Sequence, residues 1–327
     1  MKKNVLKLSA VFAAMLCCSA TYAQDFALSG FNYRVLDEST CVLVAPVDKD
    51  AVKGKVEIES EVPYDGKMYS VVTIEKNAFK DCNGLTQVVV PNSVTILESG
   101  AFQDCRNLAS VSLSNGLNNI GTLAFSGCNA LGSIDIPETV GFISKQAFYG
   151  CTSLTSVVLP NSVTYLGDAA FWDCTKLANV TLSEGLRVIP AQAFLGCSSL
   201  TAITLPESVT GISTEAFQGT ALKTVNCLAV NPPVAVEEAN NQSSFSDDAY
   251  ENADVYVPAG SLDSYKTANG WRNFKKLHAN GTSGINNIAT DAANGEQTVY
   301  DLQGRKLDQP ERGQVNIING KKVFVAK

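Results

Sequence analysis

Six cysteines, Cys82, Cys105, Cys128, Cys151, Cys174 and Cys197, stand 23 residues apart, and the single histidine, His278, lies far downstream of them. Thiols can hold zinc, attack a carbonyl carbon or pair as disulfides, and each of these chemistries demands its own spacing. A structural zinc site draws its ligands from close pairs, about two to four residues apart; the ladder has no such pair and His278 sits in a different region. A Cys-His or Ser-His dyad would have to be built on His278, which follows Asn273-Phe274-Lys275-Lys276-Leu277 without any nucleophile motif and reads as a solvated residue. No glycine-rich phosphate loop and no P-loop is present. Carboxylate pairs that hydrolyse glycosides are assembled in space rather than in sequence, and nothing in the chain singles one out. The expectation is therefore no catalytic residue, no cofactor and no metal.

The cysteines belong to a larger rhythm. Phe79, Phe102, Phe125, Phe148, Phe171, Phe194 and Phe217 keep the same 23-residue step, each preceded by Ala. So do Leu85, Leu108, Leu131, Leu154, Leu177 and Leu200. Two more apolar columns follow, one through Val88, Val111, Ile134, Val157, Val180 and Ile203, the other through Val90, Leu113, Ile136, Leu159, Leu182 and Leu205. These lie two residues apart in each unit, which is strand alternation. A fixed period of about 20–29 residues with a Leu-x-x-Val-x-Leu core is the signature of leucine-rich repeats. The predicted fold is a leucine-rich-repeat solenoid of 23-residue coils, right-handed, with strands lining one face. One such coil cannot bury its own apolar side and needs a like coil above and below. Pro91, Pro137, Pro160 and Pro206 end the strand where a ladder N–H is no longer required, and a second apolar pair such as Val163 and Leu166 returns the chain to the core.

Stacking also decides the thiols. Equivalent cysteines on parallel coils keep a rung spacing of about 4.8 Å, whereas disulfide Cβ atoms prefer about 3.8 Å. The six are expected to form a buried, unbridged ladder of small hydrophobes, with Cys41 and Cys227 too far apart to meet.

The unit Ala-Phe-x-x-Cys-x-x-Leu-x-x-Val-x-Leu-Pro-x-x-Val-x-x-Ile resembles the BspA-like leucine-rich repeat of bacterial surface proteins, over residues 75–226. That resemblance implies an adhesive or binding surface rather than an enzyme. Residues 24–74 and 227–278 resemble the family's N- and C-terminal caps, and the last repeat departs from the pattern, with Thr220 in the cysteine position. Residues 279–296, rich in Gly, Asn, Ala and Thr, read as a linker. In 297–327, Asn319-Gly320 between two strand-like runs signals a β-hairpin, giving a small β tail. Its Val299-Tyr300-Asp301-Leu302-x-Gly304-Arg305 opening resembles the C-terminal sorting module of type IX secretion in Bacteroidetes.

At the other end, residues 1–23 carry Lys2, Lys3 and Lys7, an apolar run to Leu16, and Thr21-Tyr22-Ala23, the pattern of a signal peptide. The run is shorter than the roughly 20 residues a spanning helix needs, so no transmembrane segment is expected in the mature chain. Export to the cell surface or the extracellular space follows, with the periplasm as the alternative. A net charge of −7 gives no basic footprint for nucleic acid.

Binding by a solenoid uses the columns that face outward. One such face, through Val89, Ser112, Asp135, Val158, Thr181 and Thr204, is small and hydroxyl-rich. Two other columns turn bulky in the same consecutive coils, and Phe142, Tyr149, Tyr165, Trp172, Val188 and Leu195 are the expected partner-binding strip. The functional expectation is an exported, non-enzymatic repeat protein presenting this surface to a host or microbial protein or glycan. Two other classes stay open at this point: an extracellular carbohydrate-active enzyme with an unrecognised carboxylate pair, and a structural surface protein that binds copies of itself.

Overall fold

Each 23-residue unit closes one coil, and the Ala-Phe pair forms its spine. In the computed structural model, which describes residues 24–237, 242–280, 299–300, 306–307, 309, 314–318 and 321–325, the Phe79 N–H donates to the Ala101 carbonyl. The same bond runs from Phe102 to Ala124 and on, coil by coil, to Phe194 and Ala216, each 2.8–2.9 Å long. Phe217 donates instead to Ser244, which brings Phe245 into the column although it breaks the 23-residue step. The rings of Phe79 through Phe245 stack nearly face to face, with centroids 5.1–5.6 Å apart and interplanar angles of 1–11°. Phe31 tilts onto Phe79 at one end, while Tyr250, Trp271 and Phe274 pack edge-on against Phe245 at the other.

Two ladders of short parallel strands flank this spine. The first is the one the Val-x-Leu columns predict: Gly54–Glu57, Leu85–Val89 and Ser110–Ser112 pair in parallel, as do Ser156–Val158 with Asn179–Thr181. The second is not. The apolar pair expected merely to return the chain is itself a strand in each coil, and Ile96–Leu97, Asn119–Ile120, Phe142–Ile143 and Tyr165–Leu166 pair in parallel with one another. The ladders also outrun the Ala-Phe repeats. Gly54–Glu57 and Lys67–Ile74 already belong to them, and Thr224–Cys227, Asp254–Pro258 and Lys276–Asn280 continue the first ladder. The strand Lys276–Asn280 therefore takes the ordered chain two residues past 278, where a linker was expected. In the tail, Val299–Tyr300, Lys306–Leu307, Gln314–Ile318 and Lys321–Val325 form an antiparallel sheet rather than a lone hairpin. The Asn319-Gly320 turn and the signal segment 1–23 lie outside the described residues.

Both ladders are interrupted, and one interruption has an explicit chemical cause. Glu98, Gly121, Ser144, Gly167 and Ser213 each donate an N–H to the coil before, at Ile74, Leu97, Ile120, Ile143 and Ile189. Pro190 occupies that position in its coil and has no N–H to give. The second ladder accordingly splits between Tyr165–Leu166 and Val188–Ile189. In the first ladder, residues 131–137 form no strand, and a cavity of about 170 Å³ opens between them and Ser156–Val158.

Coil spacing sets a steric limit that single residues report. A Cβ on Gly167 would run into the backbone of Ser144 and Lys145, whereas one on Gly132 would meet nothing. Gly167→Ala is therefore expected to cost about 1–3 kcal/mol, read as a lower urea midpoint, with Gly132→Ala as the control that leaves it in place. Equal midpoints would show that neighbouring coils part without cost.

Candidate functional site

The surroundings of the thiols make them structural rather than reactive. All eight cysteines of the described residues are buried and unpaired. They are more than small hydrophobes, however. Cys105, Cys128, Cys151, Cys174 and Cys197 donate their S–H to the carbonyls of Phe79, Phe102, Phe125, Phe148 and Phe171 in the preceding coil, at 2.9–3.2 Å. Each carbonyl also receives the Cys N–H of its own turn, so the thiol fills a second lone pair that would otherwise be buried without a partner. In the last repeat Thr220 Oγ1 donates to Phe217 instead. Cys227 meets the Tyr265 hydroxyl at 3.1 Å, and that hydroxyl donates onward to the Ala229 carbonyl.

Burial pushes these thiols up from their ordinary value of 9.0: Cys41 and Cys82 to about 11, Cys128 and Cys197 to about 12, and Cys105, Cys151 and Cys174 strongly upward as well. None is a thiolate near neutrality, which removes them as nucleophiles. The folded state holds these protons more tightly than the unfolded chain, so the thiols oppose unfolding below about pH 9, and that contribution is lost as pH rises from about 9 toward about 12. Iodoacetamide at pH 8 is expected to label none of the eight thiols until denaturant is added, and the chain should unfold on alkaline titration through that window. Rapid labelling of the native chain would show that the ladder opens.

The partner strip resolves into two columns of different character. Ile96, Phe142, Tyr165, Val188 and Val234 are 38, 54, 52, 46 and 76% exposed. All stand on the outer side of the second ladder, where register aligns Ile96, Asn119, Phe142 and Tyr165, then Val188, Gly211 and Val234 beyond the Pro190 split. Phe142 and Tyr165 touch, with centroids 6.3 Å apart. Their strand neighbours Ile143 and Leu166 are buried, as alternation requires. Tyr149, Trp172 and Leu195 form the other column and are half-buried, with the Tyr149 and Trp172 rings edge to face at 5.2 Å. The exposed ridge is thus narrower than the strip read from sequence, and longer, because Ile96 and Val234 join it. Ring contacts run along each column, one coil to the next.

The hydroxyl-rich face lies on the first ladder, with Ser112, Asp135, Val158, Thr181 and Thr204 all exposed. His278 is on this side too, but it is not a free solvated residue. Its Nε2 lies 2.7 Å from Asp254 Oδ1 and its ring stacks on Tyr256.

A family model described as the BspA type leucine rich repeat region matches residues 72–140 and 122–232, in six copies. A leucine-rich repeat protein of T. pallidum, solved as a crystal structure, is 33% identical over 54% of this chain and 80% of its own, with a TM-score of 0.50. The chain belongs to the BspA-type leucine-rich repeat family. A leucine-rich repeat protein from Bacteroides ovatus, 24% identical over 78% of this chain and 76% of its own, shares the fold with a TM-score of 0.57. No curated protein matches the chain. In this BspA-type chain the repeated columns are interior, made of Phe, Cys, Leu and Ala that stack on copies of themselves. What differs from coil to coil faces outward, and any selectivity of the solenoid resides there. Among the described residues no helix is long and apolar enough to cross a membrane, and no group of three or more His, Cys, Asp or Glu could hold a metal ion.

Proposed function

We propose that this BspA-type protein is exported, carries no enzymatic activity, and displays the ridge from Ile96 to Val234 as an adhesive surface for a host or microbial protein. The observation that carries this reading is the ridge itself: Phe142, Tyr165 and Val188 stand exposed on three consecutive coils, and Ile96 and Val234 are exposed in the same column beyond Asn119 and Gly211. Soluble monomers leave scattered apolar residues exposed, but a contiguous row marks an interaction site. The occupant is a protein rather than a glycan because, the Tyr165 hydroxyl apart, the ridge side chains offer no hydrogen-bonding atoms, whereas apolar and aromatic anchors are what protein partners seat in their pockets. The leader-like residues 1–23 and the tail that resembles a type IX sorting module support delivery to the outside, at the cell surface or beyond it.

The test is binding of the purified chain to a panel of immobilised host matrix and bacterial surface proteins, compared with a Phe142→Ser, Tyr165→Ser, Val188→Ser variant. Saturable binding that the variant loses is the expected result. A chain that binds no member of the panel, or a variant that binds as the wild type does, overturns the reading. If the mass in sedimentation rises with concentration and the variant abolishes the rise, the ridge joins copies of this chain instead.

A further inference from the structure

We propose that the outward face of the last four strands of the first ladder is a saccharide site, separate from the apolar ridge. Ala202–Leu205, Thr224–Cys227, Asp254–Pro258 and Lys276–Asn280 pair in parallel in that order. Their register sets Thr204, Asn226, Tyr256 and His278 in one row and Thr224, Asp254 and Lys276 in the row beside it. Val225 and Val255, between the rows, are fully buried. Alternation therefore turns both rows outward.

The row is held in shape by its own contacts. His278 Nε2 and Asp254 Oδ1 are 2.7 Å apart, Asn226 Nδ2 donates to Thr204 Oγ1 at 3.4 Å, and the Tyr256 and His278 rings stack with centroids at 5.1 Å. These contacts leave hydrogen-bonding capacity unused. Asp254 Oδ2, Asn226 Oδ1 and the Tyr256 hydroxyl have no partner among the described residues. Among the described residues the strand Lys276–Asn280 is the last of its sheet, so the His278 ring has Tyr256 against one face and no described strand against the other.

This set of groups fits one ligand chemistry. Three acceptor oxygens on adjacent strands, one of them a carboxylate, match a neutral molecule rich in hydroxyl donors. An exposed ring face beside them matches the apolar C–H face of a sugar ring. An anion is disfavoured, because Asp254 is itself negative and Lys276, the cation of the row, donates to the Asn252 carbonyl at 3.0 Å. The side chains of an apolar peptide would offer these acceptors no donors, leaving only its backbone N–H groups to meet them.

His278 is the only histidine in the chain, so its ring protons give isolated proton NMR signals in protein purified without a histidine tag. Neutral trisaccharides of glucose, mannose, galactose and N-acetylglucosamine are the probes, with inorganic phosphate as the anionic control. At least one trisaccharide is expected to shift the His278 signals saturably. Asp254→Asn, which keeps the side-chain shape, and Tyr256→Ala should each weaken that binding about tenfold or more. The Phe142→Ser, Tyr165→Ser, Val188→Ser variant should bind the sugar as the wild type does, which separates this site from the ridge. The proposal fails if no trisaccharide moves the His278 signals at millimolar concentration, if phosphate alone moves them, or if Asp254→Asn binds unchanged.

Discussion

Replacing Phe148 by Ala is expected to lower the unfolding free energy by about 3–5 kcal/mol. The ring is fully buried in the middle of the stack, 5.5 Å from Phe125 and 5.2 Å from Phe171. Removing it takes a partner from both neighbours. The space cannot easily close, because the backbone bonds from Phe125 to Ala147 and from Phe148 to Ala170 hold the coils at fixed separation on either side of it. Loss of transfer energy and an uncollapsed cavity then add, which places the change at the upper end of core truncations. The position matters as much as the size. A solenoid is coupled only through nearest neighbours, so a defect in a central coil weakens the link between two halves that each retain a stack of rings. Urea unfolding followed by fluorescence and by circular dichroism should show a lower midpoint and, in the variant, transitions that no longer coincide. A midpoint equal to that of the wild type would mean that the ring column does not carry the interface energy between coils.

The interior was legible in the sequence because every coil repeats the same burial problem. The 23-residue steps of Phe, Leu and Val fix which side chains point inward, and Asp or Gly two residues after each Phe from Phe79 to Phe217 marks a turn with positive φ, at Asp81, Asp104 and Asp173 for example. A second left-handed position, two residues before each Phe, carried no such signal. It is occupied by Asn77, Gly100, Leu123, Gln146, Ala169, Gln192 and Glu215, and side chains such as Leu123 hold that conformation only because the stacked backbone imposes it. The second strand ladder was hidden for a related reason. Two residues per coil are too few to show alternation, and it is the bond to the next coil, not local propensity, that makes Ile96–Leu97 or Tyr165–Leu166 a strand. Phe245 escaped because 28 residues separate it from Phe217. The candidate ridge was half legible: Phe142, Tyr165 and Val188 were visible as bulky members of one column, but the burial of Trp172 against Tyr149 depends on which way two rings turn in adjacent coils. The cluster around His278 was invisible, since Asp254 and His278 lie 24 residues apart in a region without the repeat.

Changing Phe142, Tyr165 and Val188 together to Ser should leave the solenoid folded and remove partner binding. Their side chains are about half exposed, while Ile143, Leu166 and Ile189 beside them on the same strands are buried and untouched by the change. Surface substitutions of this kind shift stability by about 0.5 kcal/mol or less each. A single hot-spot side chain, by contrast, contributes about 2 kcal/mol or more to an interface, which is roughly a thirtyfold change in Kd, so the loss of two such anchors puts binding beyond reach of most assays. The disparity makes the experiment decisive: the melting temperature should move little while the binding signal disappears. Trp172→Ser supplies the contrast, because that indole is half-buried and edge-on to Tyr149; it should lower the melting temperature while weakening binding less than the triple change does. If instead the triple variant aggregates or melts early, the column is a structural seam across the split at Pro190. If it folds, melts normally and binds every partner of the wild type, the ridge is not the adhesive surface.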